Sequence, residues 1–291
     1  MQGLIVENIS NIYKVKTENN IYDSTARGKL KKDEISPVVG DIVEIEVIDQ
    51  ENAVIDKIKE RKVYIKRPKI SNITQMILVV SSKDPKPDLI MLDKQLAFAE
   101  VLDVKTIIIL NKTDLDSNND FKQIKEIYEK IGYKVIETQA KEGKGINELK
   151  EVIENNINVF SGNSGVGKST LINAIFNKDI TKEGEISKKN KRGKNTTTSV
   201  KLYEIQKNTY LADTPGFSTF EINEIESKEL YKYFKEFKEE EKNCKYVGCT
   251  HIKEKDCGIK EAVKNGKIDK SRYERFCKIY EELKQREERK W

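Results

Sequence analysis

Histidine is nearly missing from this chain: there is one, His251, in 291 residues. A Ser–His–Asp or Cys–His centre needs an imidazole as general base, and the single histidine stands inside a run of cysteines. Histidine-based nucleophilic catalysis is therefore nearly excluded. Long apolar runs are missing too. The longest, residues 76–80 and 107–110, fall far short of the roughly 20 residues of a membrane-spanning helix. The opening MQGLIVENIS has neither a basic start nor a long apolar stretch, so no secretory signal is expected there. The expected location is the cytoplasm, where thiols stay reduced. Neither charge dominates: 54 Lys and Arg against 49 Asp and Glu leave +5. Apolar residues at 37% suffice for a packed core in a chain of this length, which excludes wholesale disorder. The length suggests two domains with a small third.

The pattern changes twice along the chain. Residues 1–66 read as short strands with period-two alternation at 9–16, 42–48 and 53–58, and Val39-Gly40-Asp41 makes a turn. About five short strands in so small a block suggest a barrel, of which the OB-fold is the commonest nucleic-acid-binding kind. Arg27, Lys29, Lys31 and Lys32 cluster there, as either an RNA-binding loop or an ordinary charged loop. Residues 67–222 alternate strand and helix, the mark of an α/β domain with a largely parallel sheet and flanking helices. Helices are expected at 89–102, 120–131, 146–155 and 168–176, and a hairpin at 200–212. Residues 223–291 are helical, highly charged and hold all four cysteines.

Three motifs carry chemistry. Gly162-Asn163-Ser164-Gly165-Val166-Gly167-Lys168-Ser169, followed by Thr170, matches GxxxxGK[ST] between a strand and a helix. Its glycines let backbone N–H groups turn onto phosphate oxygens, Lys168 reaches the β- and γ-phosphates, and the Ser169 hydroxyl ligates Mg²⁺. Asp213-Thr214-Pro215-Gly216 follows a strand. The Asp belongs to the Mg²⁺ sphere and the Gly216 N–H to the γ-phosphate. Asn111-Lys112-Thr113-Asp114 closes another strand. The Asp114 carboxylate accepts from guanine N1–H and N2–H₂, whereas adenine would face it with a lone pair, so GTP is expected over ATP. Thr138-Gln139-Ala140-Lys141 has the place of a guanine loop whose backbone N–H near Ala140 meets O6, with Gln139 where Ser is usual. The guanine motifs precede the phosphate loop, which is a circular permutation of the usual GTPase order.

Cys244, Cys249, His251 and Cys257 form C-x₄-C-x-H-x₅-C. Three thiolates and an imidazole suit one tetrahedral Zn²⁺, and four protein ligands leave no open catalytic position. The zinc is expected to hold together a small domain that lacks a large core. Lys253, Lys255, Arg272 and Arg275 around it would meet RNA phosphates or form a solvated face. Cys277 lies outside the cluster, on the helix expected at 271–289, as a buried position.

The permuted order, GNSGVGKST, the stretch GEISKKNKRGKNTTT and DTPGF together resemble the bacterial small-subunit-dependent GTPase A family (RsgA, also called YjeQ), over essentially the whole chain. The resemblance implies a GTPase acting late in maturation of the small (30S) ribosomal subunit. It implies hydrolysis stimulated by the subunit, contact with its 16S rRNA and with other assembly factors, and no membrane; a monomer is expected. It also brings the Cys/His spacing with it. In the family pattern a His precedes the threonines; this chain has Asn195 there. Asn can orient a water but cannot take its proton. The position after DTPG, Gln in Ras-type GTPases, is Phe217. Another loop, a potassium ion or the ribosome must then place the water, so slow intrinsic turnover is expected. Lys168, Asn195 and Gly216 are the expected catalytic group, with Thr197, of Thr196, Thr197 and Thr198, closing on Mg²⁺. The switch stretch carries Lys182, Lys188, Lys189, Lys191, Arg192 and Lys194 against Glu183 and Glu185. Such a loop is expected to order on rRNA. The chain runs from DTPG straight into the C-terminal domain, so switch movement could reposition that domain. The rival reading, raised by Phe217 and Asn195, is an rRNA-binding factor that holds GTP as a switch without turnover.

Overall fold

The computed structural model describes residues 1–28, 30, 36–117, 120–176, 200–213 and 225–289. Outside them lie Lys29, Lys31 and Lys32, the basic switch stretch with Asn195, Thr196, Thr197 and Thr198, and Gly216 and Phe217. The described chain falls into two compact units: Met1–Ile77 with Gln139–Ser161 and Gly167–Phe217, and Leu78–Thr138 with Gly162–Val166 and Ser218–Trp291.

The first unit begins with β1 (Gln2–Ile9), β2 (Ile12–Lys16), β3 (Ile21–Ala26), β4 (Ile42–Val47) and β5 (Asn52–Ile58). Pairing runs β1-β2-β3-β5-β4 and returns to β1 through Gly3↔Val43, so the sheet closes into a five-stranded barrel. Closure removes the exposed edges that a small sheet would otherwise carry. Alternate side chains fill it: Ile5, Tyr13, Val15, Tyr22, Val43, Ile45 and Ile55 are buried. The single strand expected over 9–16 is instead the end of β1, a turn and β2. Ser10 and Asn11 sit at φ 52° and 68°, a two-residue hairpin turn. The apolar phase shifts between Ile9 and Ile12, across the polar pair Ser10-Asn11, so the turn stands where the alternation breaks. A short hairpin follows, β6 (Tyr64–Lys66) and β7 (Lys69–Ser71). Three more strands complete this unit: β11 (Ile157–Ser161), β12 (Lys201–Gln206) and β13 (Thr209–Asp213). β12 joins the barrel at Glu7↔Lys201, and β13 lies parallel to β11. Helices α3 (Ile146–Ile153) and α4 (Lys168–Phe176) pack here.

β8 (Gln75–Ser81), buried throughout, leads into the second unit. There β9 (Lys105–Asn111) lies parallel to β10 (Lys134–Thr138). The helices are α1 (Leu89–Val101), whose Met91 N–H is capped by Asp88 at 2.9 Å, and α2 (Asp120–Ile131). The C-terminal segment adds 3₁₀ turns at Ser227–Tyr233, Lys235–Phe237 and Glu241–Asn243, then α5 (Gly258–Lys264) and α6 (Lys270–Glu288). Its core is aromatic: Phe276 meets Phe234 and Phe237 at centroid distances of 5.1 and 4.8 Å. Ala97 of α1 belongs to the same cluster.

Arg272 and Arg275 are not on an rRNA-facing or solvated face. They are buried, at 0% and 8% exposure. The Arg275 Nε donates to Asp93 Oδ2 at 2.6 Å, the Arg272 Nε to Glu236 at 2.7 Å, and Arg272 Nη1 pairs with the other Asp93 oxygen. A buried charge requires a partner, and the carboxylate of α1 supplies it across the core. Cys277 is half-buried against that core.

Candidate nucleotide and metal sites

The loop between β11 and α4 is shaped by its glycines. Gly162, Gly165 and Gly167 sit at φ 145°, 82° and 101°, conformations that a Cβ disfavours. At Gly162 a Cβ would also stand 2.3 Å from the Val79 carbonyl oxygen, a backbone atom. Gly162→Ala should therefore lose about 1–3 kcal/mol of stability and weaken nucleotide binding, as urea unfolding and a GTP titration would show. Val166 is buried while Ser164, Gly165, Ser169 and Thr170 are exposed. Asn163 Nδ2 donates to Asp88 at 3.3 Å. Lys168 opens α4, and burial holds its ammonium below the ordinary lysine value. A cation in that state gains from an anionic partner, and the helix N-terminus favours the same charge. Asp213 ends β13, opposite Lys201 in the ladder.

The guanine motif is tied to this loop. The Asn111 amide, buried at the end of β9, donates to the Val166 carbonyl at 2.9 Å. Its oxygen accepts from Thr138 Oγ at 2.9 Å. Asn111 is thus a brace between the ends of β9 and β10 and the phosphate loop. Lys112 adopts a left-handed φ of 62°. Its ammonium donates to the Gly165 carbonyl at 2.8 Å and the Asp84 carbonyl at 2.5 Å, and the Ser82 hydroxyl donates to its carbonyl at 2.6 Å. Thr113 reaches back to Thr138 O at 3.5 Å. Asp114, one residue on, is exposed and open to a base. Ala140 is buried, one residue past Gln139, whose N–H donates to Lys144 O at 3.1 Å. Sequence reasoning missed Ser82 and Asp84, which act through a hydroxyl and a backbone carbonyl that no residue spacing betrays.

The structure brings Cys244, Cys249, His251 and Cys257 together, their donor atoms within 4.8 Å of one another. The imidazole Nδ1 lies 3.5 Å from the Cys244 sulfur and 3.4 Å from that of Cys257. A tetrahedral Zn²⁺ with Zn–S near 2.3 Å and Zn–N near 2.0 Å sets its ligand atoms roughly 3.5–3.8 Å apart, so the donor set fits. Burial, with the neighbouring sulfurs, pushes the Cys249 thiol up to about 12 and also raises Cys257. Burial lowers His251 to about 4, so the ring is neutral, as a ligand must be. A dication reverses the thiol preference by stabilising the thiolates. Around the cluster, the Gly258 N–H points at the Cys244 sulfur at 3.3 Å and the Tyr273 hydroxyl donates to His251 O at 2.7 Å. Burial works against the Glu254 carboxylate. Hydrogen bonds from the Thr250 and Ile252 amides and the Thr250 hydroxyl outweigh it and hold the group down at about 2.

Two family models match this arrangement, the RsgA GTPase over residues 58–223 and the RsgA N-terminal domain over residues 2–55. This chain belongs to the RsgA GTPase family. Its curated relatives include the small ribosomal subunit biogenesis GTPase RsgA of Clostridium botulinum (strain Eklund 17B), 43% identical with both chains covered completely. That of Caldanaerobacter subterraneus subsp. tengcongensis is 39% identical over 100% of this chain and 98% of the relative. The crystal structure of YjeQ from Thermotoga maritima superposes with a TM-score of 0.85 at 38% identity, over 97% of this chain and 98% of that one. YloQ, described as a circularly permuted GTPase, gives 0.83 at 30% identity, over 98% and 95%. As in the RsgA family, the enzyme hydrolyses GTP, with Mg²⁺ as the accompanying ion. A closed barrel, a permuted GTPase domain and a Cys₃His cluster follow one another along the chain.

Proposed function

We propose that this protein hydrolyses GTP on the small ribosomal subunit, late in its maturation, and that docking on the subunit and its 16S rRNA stimulates turnover. The observation that carries the nucleotide assignment is the brace from Asn111 to Val166, which fixes a guanine-reading loop against a phosphate loop. The relatives' shared name, small ribosomal subunit biogenesis GTPase, supports the partner.

In this reading Asp114 accepts from guanine N1–H and N2–H₂, and the Ala140 N–H meets O6. The backbone from Gly162 to Gly167 cradles the phosphates, and Lys168 moves onto the β- and γ-oxygens. Ser169, Asp213 and Thr197 are the residues that would hold Mg²⁺, which, when bound, neutralises charge developing on the transferred phosphoryl group. The Gly216 N–H binds the γ-phosphate, and Asn195 orients the attacking water in place of a histidine. One Zn²⁺ stays structural. No helix among the described residues is long and apolar enough to cross a membrane. The protein acts in the cytoplasm as a monomer, with other assembly factors leaving when GTP is cleaved.

Two measurements test this. GTP hydrolysis is followed with and without purified small subunits, with ATP as control. A large GTP-specific stimulation is expected. Tight GTP-dependent binding without hydrolysis would favour a switch that does not turn over. Asp114→Asn should lose preference for GTP by at least about a hundredfold, because the amide presents a donor to the 2-amino group. It should accept xanthosine triphosphate instead, whose 2-carbonyl suits that donor. Unchanged selectivity would remove the guanine assignment.

A further inference from the structure

The block 1–67 holds 12 basic and 12 acidic residues, but its charge is unevenly placed. Five of the nine residues from Arg61 to Lys69 are basic, and no acidic residue stands between Glu60 and Asp84. They run from the approach to β6, through β6 and the turn, to the first residue of β7. Ile65 and Ile70 face inward as a cross-strand pair, both buried. Lys62, Tyr64, Lys66, Arg67 and Lys69 are exposed. Lys66 and Lys69 stand directly opposite each other across the ladder. Like charges in that position are destabilising.

The hairpin rests on a rigid base. Asp41, 0% exposed, accepts from Arg61 Nε at 2.7 Å, Arg61 Nη2 at 2.8 Å, Ser71 Oγ at 2.6 Å and the Val38 N–H at 2.8 Å. The Ser71 N–H donates to Val39 O at 2.9 Å. Gly40, at φ 92°, passes so close that a Cβ there would lie 2.0 Å from the Ser71 carbonyl oxygen. The Arg61 guanidinium, held by Asp41, sits 4.8 Å from the centroid of the Tyr64 ring. An aromatic platform fixed from one side and flanked by cations is what unpaired nucleotides bind: a base stacks on the ring and adjacent phosphates meet the basic side chains.

We infer that the β6–β7 hairpin is an RNA-docking strip, in which Lys66, Arg67 and Lys69 hold phosphates of small-subunit rRNA and Tyr64 stacks on an unpaired base. This rests on the ribosomal partner proposed above and names the surface that meets it. Lys62, exposed beside Tyr64, extends the same strip.

The test compares subunit binding over a range of salt for wild type, for Lys66→Ala/Arg67→Ala/Lys69→Ala and for Tyr64→Leu. With three phosphate contacts gone, the slope of log affinity against log salt should flatten by about two. Tyr64→Leu should weaken binding about tenfold and leave the slope unchanged. Hydrolysis without the subunit should match wild type, because none of these side chains belongs to the nucleotide site. Ultraviolet irradiation of the wild-type complex should leave a nucleotide adduct on the hairpin. A triple variant with wild-type affinity and slope would overturn the inference. So would hairpin cross-links that go to ribosomal protein instead of rRNA. If wild type itself neither binds nor responds to the subunit, the proposed function falls and this inference with it.

Discussion

Replacing Asp93 by Ala should destabilise the C-terminal half of the protein by about 3–5 kcal/mol, the range for breaking a buried ion pair from one side. Asp93 is 0% exposed on α1 and answers two buried guanidiniums from α6. The Tyr128 hydroxyl of α2 donates to the same carboxylate at 2.5 Å. Burial and that neighbouring negative charge push the Tyr128 phenol upward, so it stays a donor over the working pH range. Without Asp93, Glu236 is the remaining carboxylate paired with Arg272. The Phe234 ring, 4.4 Å from its guanidinium, cannot replace an anion. Urea unfolding, with protease cleavage near α6 as the local readout, measures the effect. A loss below about 1 kcal/mol would mean that the aromatic core, not the ion network, docks α6 on α1. Asp93→Leu combined with Arg272→Met and Arg275→Met should recover most of the loss, since an apolar replacement of a whole buried network is often neutral or better.

Stripping the metal from the Cys₃His cluster should unfold the segment from Cys244 to Cys257. Structural zinc in small domains contributes about 10–16 kcal/mol of apparent binding free energy near neutral pH. Few side chains here could replace that. The imidazole of His251 touches the aromatic core through Tyr231 and Phe237, at centroid distances of 4.8 and 6.0 Å. Tyr246 and Val247, between the first two cysteines, are exposed. One zinc per chain is expected by elemental analysis. Chelation, or Cys257→Ser, should bring fast amide exchange and proteolysis at Lys253 and Lys255, while the barrel strands β1 to β5 keep their protection. Removal of the metal with no change in exchange would end its structural role. Glu254→Ala, which frees the amides of Thr250 and Ile252, should loosen the metal by about tenfold or more, as loss of an outer-shell partner does.

The motifs that carry the proposed chemistry are legible in the chain alone. The phosphate loop, NKTD and the Cys/His run are contiguous, and each works through backbone geometry or a fixed donor set that the residue types dictate locally. The permuted order is likewise a property of the chain. The strand–helix alternation gave α2, α4 and β11 their observed bounds: α2 and α4 bury one face at helical spacing, and β11 is a short run buried at four consecutive positions. Folding alone settles where the charges go. Arg272 and Arg275 look like surface cations until Asp93, 179 and 182 positions earlier, meets them in the core. Lys62, Lys66, Arg67 and Lys69 look like the same kind of residue, yet the Ile65–Ile70 pair turns them outward as a patch. A charge in a sequence carries no record of its dielectric surroundings. Whether it faces water, a partner or a buried carboxylate is set by contacts from distant parts of the chain, and those exist only once it has folded.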